Sequence, residues 1–294
     1  MIGGLRAAWE RHWFAPEPAI NLAVARMLAA GVALWVLLSR DRAGVSGLPD
    51  VFWRGVGATT RWRFLLFPGH EQLEQGLTLL AVVLLLGALL GLRPRTSSFL
   101  SALLLYHLAP LESIIWTASP HGRGLTLATL TLLVCAIAPS GDALVRGARP
   151  VTPSWQYGWP LRLIQLWLVM VYFLSGVGKV RESGLAWLHA DTLVHWLRLA
   201  TQNDLVAVHR TLGGWIADHP VVAGAAGVGT LLFELGSVLA LVSRRSRPWF
   251  AGVAIAFHAA IYFTMNITLN SWPLLLTFVD WDALRNRLQR PRST

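Results

Sequence analysis

The chain has 294 residues, of which 54% are hydrophobic and 14% charged, and a mean hydropathy of +0.51; these values exclude an ordinary soluble globule and point to a polytopic membrane protein. A formal charge of +10 is no argument for nucleic acid, because the arginines stand at the ends of apolar runs, where membrane topology places them. The single cysteine, Cys135, lies inside an apolar run, which excludes a disulfide framework and a cysteine metal site.

Residues 1–18 are interrupted by Arg6, Glu10, Arg11, Pro16 and Pro18, so no cleavable signal peptide is apparent. Leu5, Trp9 and Trp13 recur at four-residue spacing and predict a short interfacial helix there. Apolar stretches that can span follow at residues 19–38, 77–92, 98–116, 125–138, 160–178, 221–242, 249–265 and 270–281. The stretches 125–138 and 270–281 are short and need their polar flanks or a tilt to cross. The fold expected is all-α: a polytopic bundle of about eight transmembrane helices with interfacial amphipathic helices. Its membrane domain covers residues 19–283, and a basic tail covers 284–294.

Orientation follows from the connections. With the N-terminus cytoplasmic, the inner ones are the short basic segments around Arg93 and Arg95, Arg146 and Arg149, Arg244, Arg245 and Arg247, and the tail with Arg285, Arg287, Arg290 and Arg292. Both termini are then cytoplasmic, in the inner membrane if the source is bacterial. The outer connections include 41–75, rich in aromatic residues (Phe52, Trp53, Trp62, Phe64, Phe67), and 180–220. In the latter, Leu205, Val208, Leu212 and Trp215 predict an amphipathic helix lying on the membrane, and a connection of this length can also serve as a lid.

Ionisable residues inside spans are costly and carry a functional hypothesis by default. They are Arg26, His107, Glu112, Arg162, Glu234 and His258, with Lys179 and His121 at span ends. Lys179 is the only lysine among 25 basic lysine and arginine residues. An amine in apolar surroundings can lose its proton and act as a base, which a guanidinium does not do, so the lone lysine marks a position where arginine would not serve. The competing reading is an interfacial lysine that snorkels to the headgroups. Lys179, His121 and His258 fall at one depth, toward the outer face. His121 alone also reads as a solvated turn residue, His258 as a helix–helix hydrogen-bonding group, and Glu234 as a buried partner for Arg26 or a histidine. His107 and Glu112 are five apart, off the same-face spacings.

No His-x-x-His or His-x-x-x-His pair is present, so a metalloenzyme is not expected. Phe173 stands where a nucleophile elbow around Ser175 requires glycine, and Gly122 and Gly124 are only a fragment of a phosphate loop. No pair of Gly/Pro-broken spans in matching halves supports a transporter. The sequon at Asn266 carries no weight.

The chain resembles a known family, the vitamin K-dependent gamma-carboxylase membrane domain, also called the horizontally transferred transmembrane (HTTM) domain, found in many bacterial proteins. The resemblance rests on Val24-Ala25-Arg26, Leu90-Gly91-Leu92-Arg93-Pro94-Arg95-Thr96-Ser97, His121, Ala138-Pro139-Ser140-Gly141-Asp142, Tyr172-Phe173-Leu174-Ser175-Gly176-Val177-Gly178-Lys179, Glu234 and His258. It implies an enzyme in which Lys179 deprotonates a reduced quinone (vitamin K or menaquinone hydroquinone) on the extracytoplasmic side. O2 then adds, and the strong base formed takes a carbon-bound proton from a glutamate side chain, which captures CO2. His121 and His258 match catalytic positions, and Tyr172, Gly176, Glu234, Trp187 and Asn266 are the expected quinone- or substrate-binding residues. The expected form is compact, without the large extracytoplasmic domain that grips a protein substrate. Its partners would be membrane lipid, a quinone, and a peptide substrate or separate partner protein. The rival expectation is a non-catalytic maturation factor for a secreted peptide.

Overall fold

Inside lipid a backbone has no water to bond, so a long apolar run satisfies its N–H and C=O groups as helix. The computed structural model, which describes residues 2–39, 71–115, 122–203 and 207–289, is built almost wholly of helices. In chain order they are α1 (Ile2–Trp13), α2 (Ala19–Leu38), α3 (Glu71–Leu90), α4 (Pro94–Ile115), α5 (Gly122–Ile137), α6 (Trp155–Ser183), α7 (Ala190–Asn203), α8 (Ala207–Ala217), α9 (Pro220–Gly236), α10 (Leu239–Val242), α11 (Arg247–Met265) and α12 (Trp281–Gln289), with 3-10 turns at Ala186–Leu188 and Trp272–Phe278. Among the described residues no strand forms, only an isolated antiparallel bridge between Glu17 and Ser154. The protein is an all-α membrane bundle.

Among the described residues, five helical segments are long and apolar enough to cross a membrane: Ala19–Leu38, Gln72–Leu90, Trp155–Ser183, Pro220–Val242 and Arg247–Met265; Leu125–Ile137 is apolar but shorter. The stretch expected as an eighth spanning helix, 270–281, is not one. Pro273 and the Asn270-Ser271 pair break the pattern, and the chain forms the seven-residue 3-10 turn Trp272–Phe278. At about 2 Å per residue that turn cannot cross a core of about 30 Å. It is a buried plug instead: Leu274, Leu275, Thr277 and Phe278 are inside, Thr277 O accepts a bond from Gln165 Nε2 at 2.8 Å, and Phe278 packs on Phe250.

The chain divides into two compact units, residues 1–164 with 280–294, and residues 165–279. In the first unit α2 packs on α3 and α5, and α4 on α3 and α5. Small residues line α2, where Ala23, Ala25, Ala29, Ala30 and Ala33 are fully buried, so neighbouring backbones approach closely. The α3–α4 turn uses the two terminus signals expected of it. Gly91 takes a left-handed φ of 73° just past α3, and Pro94 opens α4. The C-terminal carbonyls beyond α5 are then bonded by arginines from two other helices. Arg26 Nη1 donates to Ser140 O at 2.6 Å and Nη2 to Leu144 O at 3.3 Å, while Arg95 Nε donates to Ala138 O at 3.1 Å. Cations at that end also suit the negative pole of the helix dipole. Gly141 sits against the Pro94 ring with no room for a Cβ.

Both chain ends are fastened in this unit. Arg162, buried in α6, donates from Nε to His12 O at 2.9 Å and pairs through Nη2 with buried Glu17 at 2.7 Å. Asn21, in the first turn of α2, accepts a bond from Trp281 N at 2.9 Å and donates to Asp280 Oδ1 at 3.4 Å, so α12 docks beside the start of α2.

In the second unit α9 packs on α7 and α8, α8 on α7 and α11, and α11 on the Trp272–Phe278 turn. The amphipathic helix expected in the 180–220 connection is α8, with Val208, Leu212 and Trp215 exposed along one stripe; Leu205 lies outside the described residues. A second helix, α7, precedes it. The expectations for residues 40–70, with their aromatic cluster, lie outside the described residues.

Candidate functional site

The second unit gathers the proton-exchanging groups. Tyr172, Gly176 and Lys179 follow each other on α6 at spacings of four and three, which puts them on one helix face. That face lies against α9. A Cβ on Gly176 would come 3.0 Å from both Glu234 Cβ and Leu235 Cδ2, so glycine is what permits the approach. One turn further along α6, Lys179 Nζ donates to Glu234 Oε1 at 2.6 Å and to Oε2 at 2.8 Å. The Glu234 side chain is 5% exposed and that of Lys179 22%. Trp187, on the turn after α6, places its ring centroid 5.1 Å from the same Nζ, a cation–π contact.

At the other end of the same face, buried Tyr172 and His258 share a hydrogen bond of 2.6 Å between Oη and Nε2. Aromatic rings surround it. Tyr172 stands edge-on to Phe233 and Phe250, and Phe233 leans on Phe257, the residue before His258. His258 is 8% exposed, and its Nδ1 has no partner among the described residues. Adjacent Phe233 and Glu234 on α9 therefore serve the two pairs, the first walling Tyr172 and the second holding Lys179.

Of the residues expected from sequence, Lys179, Tyr172, Gly176, Glu234, Trp187 and His258 come together in this unit. His121 lies outside the described residues. Asn266 ends α11 in a left-handed conformation, φ 53° and ψ 30°, with its N–H on Tyr262 O, the role of a helix cap. The partner considered for Glu234, Arg26 or a histidine, is corrected: the carboxylate pairs with Lys179, and Arg26 bonds the carbonyls of Ser140 and Leu144. Two pairings had no signal in the sequence, since Lys179 and Glu234 are 55 positions apart and Tyr172 and His258 86. The spacing rules that reveal helix-surface pairs reach only four residues. Among the described residues no cluster of three or more His, Cys, Asp or Glu side chains has the closeness to hold a metal ion.

Residues 14–280 match the model of the HTTM domain family, which covers nearly all of both units. The chain belongs to the HTTM family. HTTM domains are associated with vitamin K-dependent carboxylase-like membrane proteins. No curated protein and no solved structure matches the chain. Two of the segments that carry the HTTM resemblance, Arg93-Pro94-Arg95 and Ala138 to Asp142, meet physically in the first unit, through the Arg95 bond to Ala138 and the Gly141 contact with Pro94. A third, Tyr172 to Lys179, forms the α6 face of the site.

Proposed function

We propose that this HTTM protein is a quinone-dependent membrane enzyme of the vitamin K-dependent carboxylase type. It couples oxidation of a reduced quinone by O2 to proton abstraction from, and carboxylation of, a peptide or small substrate. The observation that carries this reading is the chain's single lysine, held through both oxygens by a buried glutamate on a helix face that also bears the Tyr172–His258 pair. The residues suit a flat oxygen-bearing ring: the aromatic side chains of Tyr172, Phe233 and Phe257 cluster beside a buried imidazole nitrogen that has no partner among the described residues. A reduced quinone, when bound, supplies an acidic ring hydroxyl and the electrons that O2 takes up.

Lys179 is the base in this reading, and Glu234 makes a base of it. As ammonium and carboxylate the pair has no net charge, and with the proton moved onto Glu234 it still has none while the amine regains its lone pair. Apolar surroundings oppose net charge, and this transfer creates none. Trp187, 5.1 Å from Nζ, and the close α6–α9 contact at Gly176 hold the amine against Glu234. The Asn21 bond to Trp281 supports the starts of α2 and α12 lying on one side, and the basic inner connections favour the cytoplasm for that side. In this reading Lys179 faces the extracytoplasmic side.

The bidentate pair also favours a second reading, a non-catalytic maturation partner in which Lys179 and Glu234 only tie α6 to α9. Lys179→Arg separates the two. Arginine keeps the charge and grips a carboxylate with two parallel bonds, but does not release its proton. Oxygen-dependent consumption of reduced menaquinone by the purified protein is expected to fall about 100-fold or more, the usual worth of a general base. Undiminished consumption in the variant would refute the catalytic assignment, and a wild-type protein that consumes no quinol would favour the partner reading.

A further inference from the structure

The Tyr172–His258 hydrogen bond can run in either direction, and hydrogen-bond accounting decides between them. If His258 Nε2–H donated to Tyr172 Oη, the phenolic O–H would be left without an acceptor among the described residues, since the 2.6 Å contact to His258 is the hydroxyl's one hydrogen bond there. His258 Nδ1 would at the same time be a bare, buried lone pair. Two buried polar groups would be unsatisfied. If Tyr172 donates, its O–H and Nε2 satisfy each other, and the single group left over is Nδ1, now carrying the hydrogen of a neutral imidazole. Buried polar groups are rarely left alone, so the arrangement with one orphan is preferred over that with two. A phenol is moreover the stronger donor of the two and imidazole nitrogen the stronger acceptor.

We infer that Tyr172 is a positioning residue that fixes His258 in the Nδ1–H tautomer, and that this N–H is a donor for a ring oxygen of the bound quinone. The chemistry of the surroundings agrees. The orphaned nitrogen belongs to a side chain 8% exposed, beside the aromatic rings of Tyr172 and Phe257, so its complement is an acceptor oxygen on a flat apolar molecule. The inference rests on the proposed quinone reading for the identity of the ligand, while the tautomer is a property of the protein alone.

The test is 15N spectroscopy of histidine-labelled protein in lipid nanodiscs, with His258→Gln identifying the resonances of His258 among those of the nine histidines. The expected spectrum shows a protonated Nδ1 and a bare Nε2, and Tyr172→Phe shifts that tautomer toward the Nε2–H form. A hydrogen on Nε2 in the wild-type protein, or a tautomer indifferent to Tyr172→Phe, would overturn the positioning role. Menadione, a naphthoquinone without a tail, is then titrated into the same sample. The Nδ1 resonance is expected to move saturably, and His258→Gln to weaken binding by up to about ten-fold, the worth of one hydrogen bond. A resonance that does not respond, with equal binding by the variant, would overturn the donor role. Failure of the base reading is distinguishable, because it appears as quinol consumption that survives Lys179→Arg whatever the tautomer of His258.

Discussion

Replacing one partner of the Lys179–Glu234 pair tests how the two helices and the two charges depend on each other. At 2.6 and 2.8 Å, two unit charges attract by about 6 kcal/mol at the effective dielectric constant of about 20 that suits protein sites, and desolvation of both groups opposes this. The net effect of keeping the pair is therefore small, and the effect of halving it is large: Glu234→Gln leaves a buried ammonium without its carboxylate, a change that costs about 3–5 kcal/mol in buried pairs. The lower end applies, because the Lys179 side chain is 22% exposed. Lys179→Met leaves a carboxylate that is only 5% exposed and is expected to cost as much. The double variant Lys179→Met/Glu234→Gln removes both charges and is expected to be more stable than the sum of the singles by about 2–3 kcal/mol, within the range seen for groups in contact. The assay is reversible unfolding in mixed micelles as the denaturing detergent fraction rises. Simple additivity of the two single variants would refute the reasoning.

Three further outcomes follow from the same geometry. Gly176→Ala must push Glu234 or Leu235 aside and is expected to destabilise by about 1–3 kcal/mol in the same assay, as overpacking does. Gly178→Ala meets nothing within 4 Å and is expected to be neutral or stabilising by up to about 1 kcal/mol. Glu17→Gln leaves the buried Arg162 guanidinium bonded to the His12 carbonyl but without its carboxylate, in a pair exposed by only 2% and 5%, and is expected to lower thermal stability by about 3–5 kcal/mol while leaving the proposed quinone binding unchanged.

Much of the fold was legible because membrane helices announce themselves: α2 begins and ends where its apolar run does, at Ala19 and Leu38. Departures occur where tertiary contacts outweigh local signals. Pro160 reads as a helix start, yet α6 begins at Trp155, its first turns held by the Tyr157 bond to Asp142 at 2.7 Å and the seating of Gly158 against Ala15. Residues 270–281 look like a span because apolarity does not distinguish a core plug from a lipid-facing segment, although a run of that length is as often the former. At the site, Lys179 stood out by composition, and Tyr172 and Gly176 through the segment that carries the family resemblance. Pairing across helices has no such period, so neither the Glu234 partner nor the Tyr172–His258 bond could be read.

The central claim, that a quinone ring sits against the α6 face between these two pairs, is tested most directly by photo-crosslinking. Protein in nanodiscs is irradiated with a photoreactive naphthoquinone and the labelled peptides are mapped. The account predicts saturable labelling, competed by menaquinone, on the α6 segment from Tyr172 to Lys179 and on α9 or α11 beside Phe233 and Phe257. Labelling confined to α2–α5, or scattered over lipid-facing residues and indifferent to menaquinone, would contradict it.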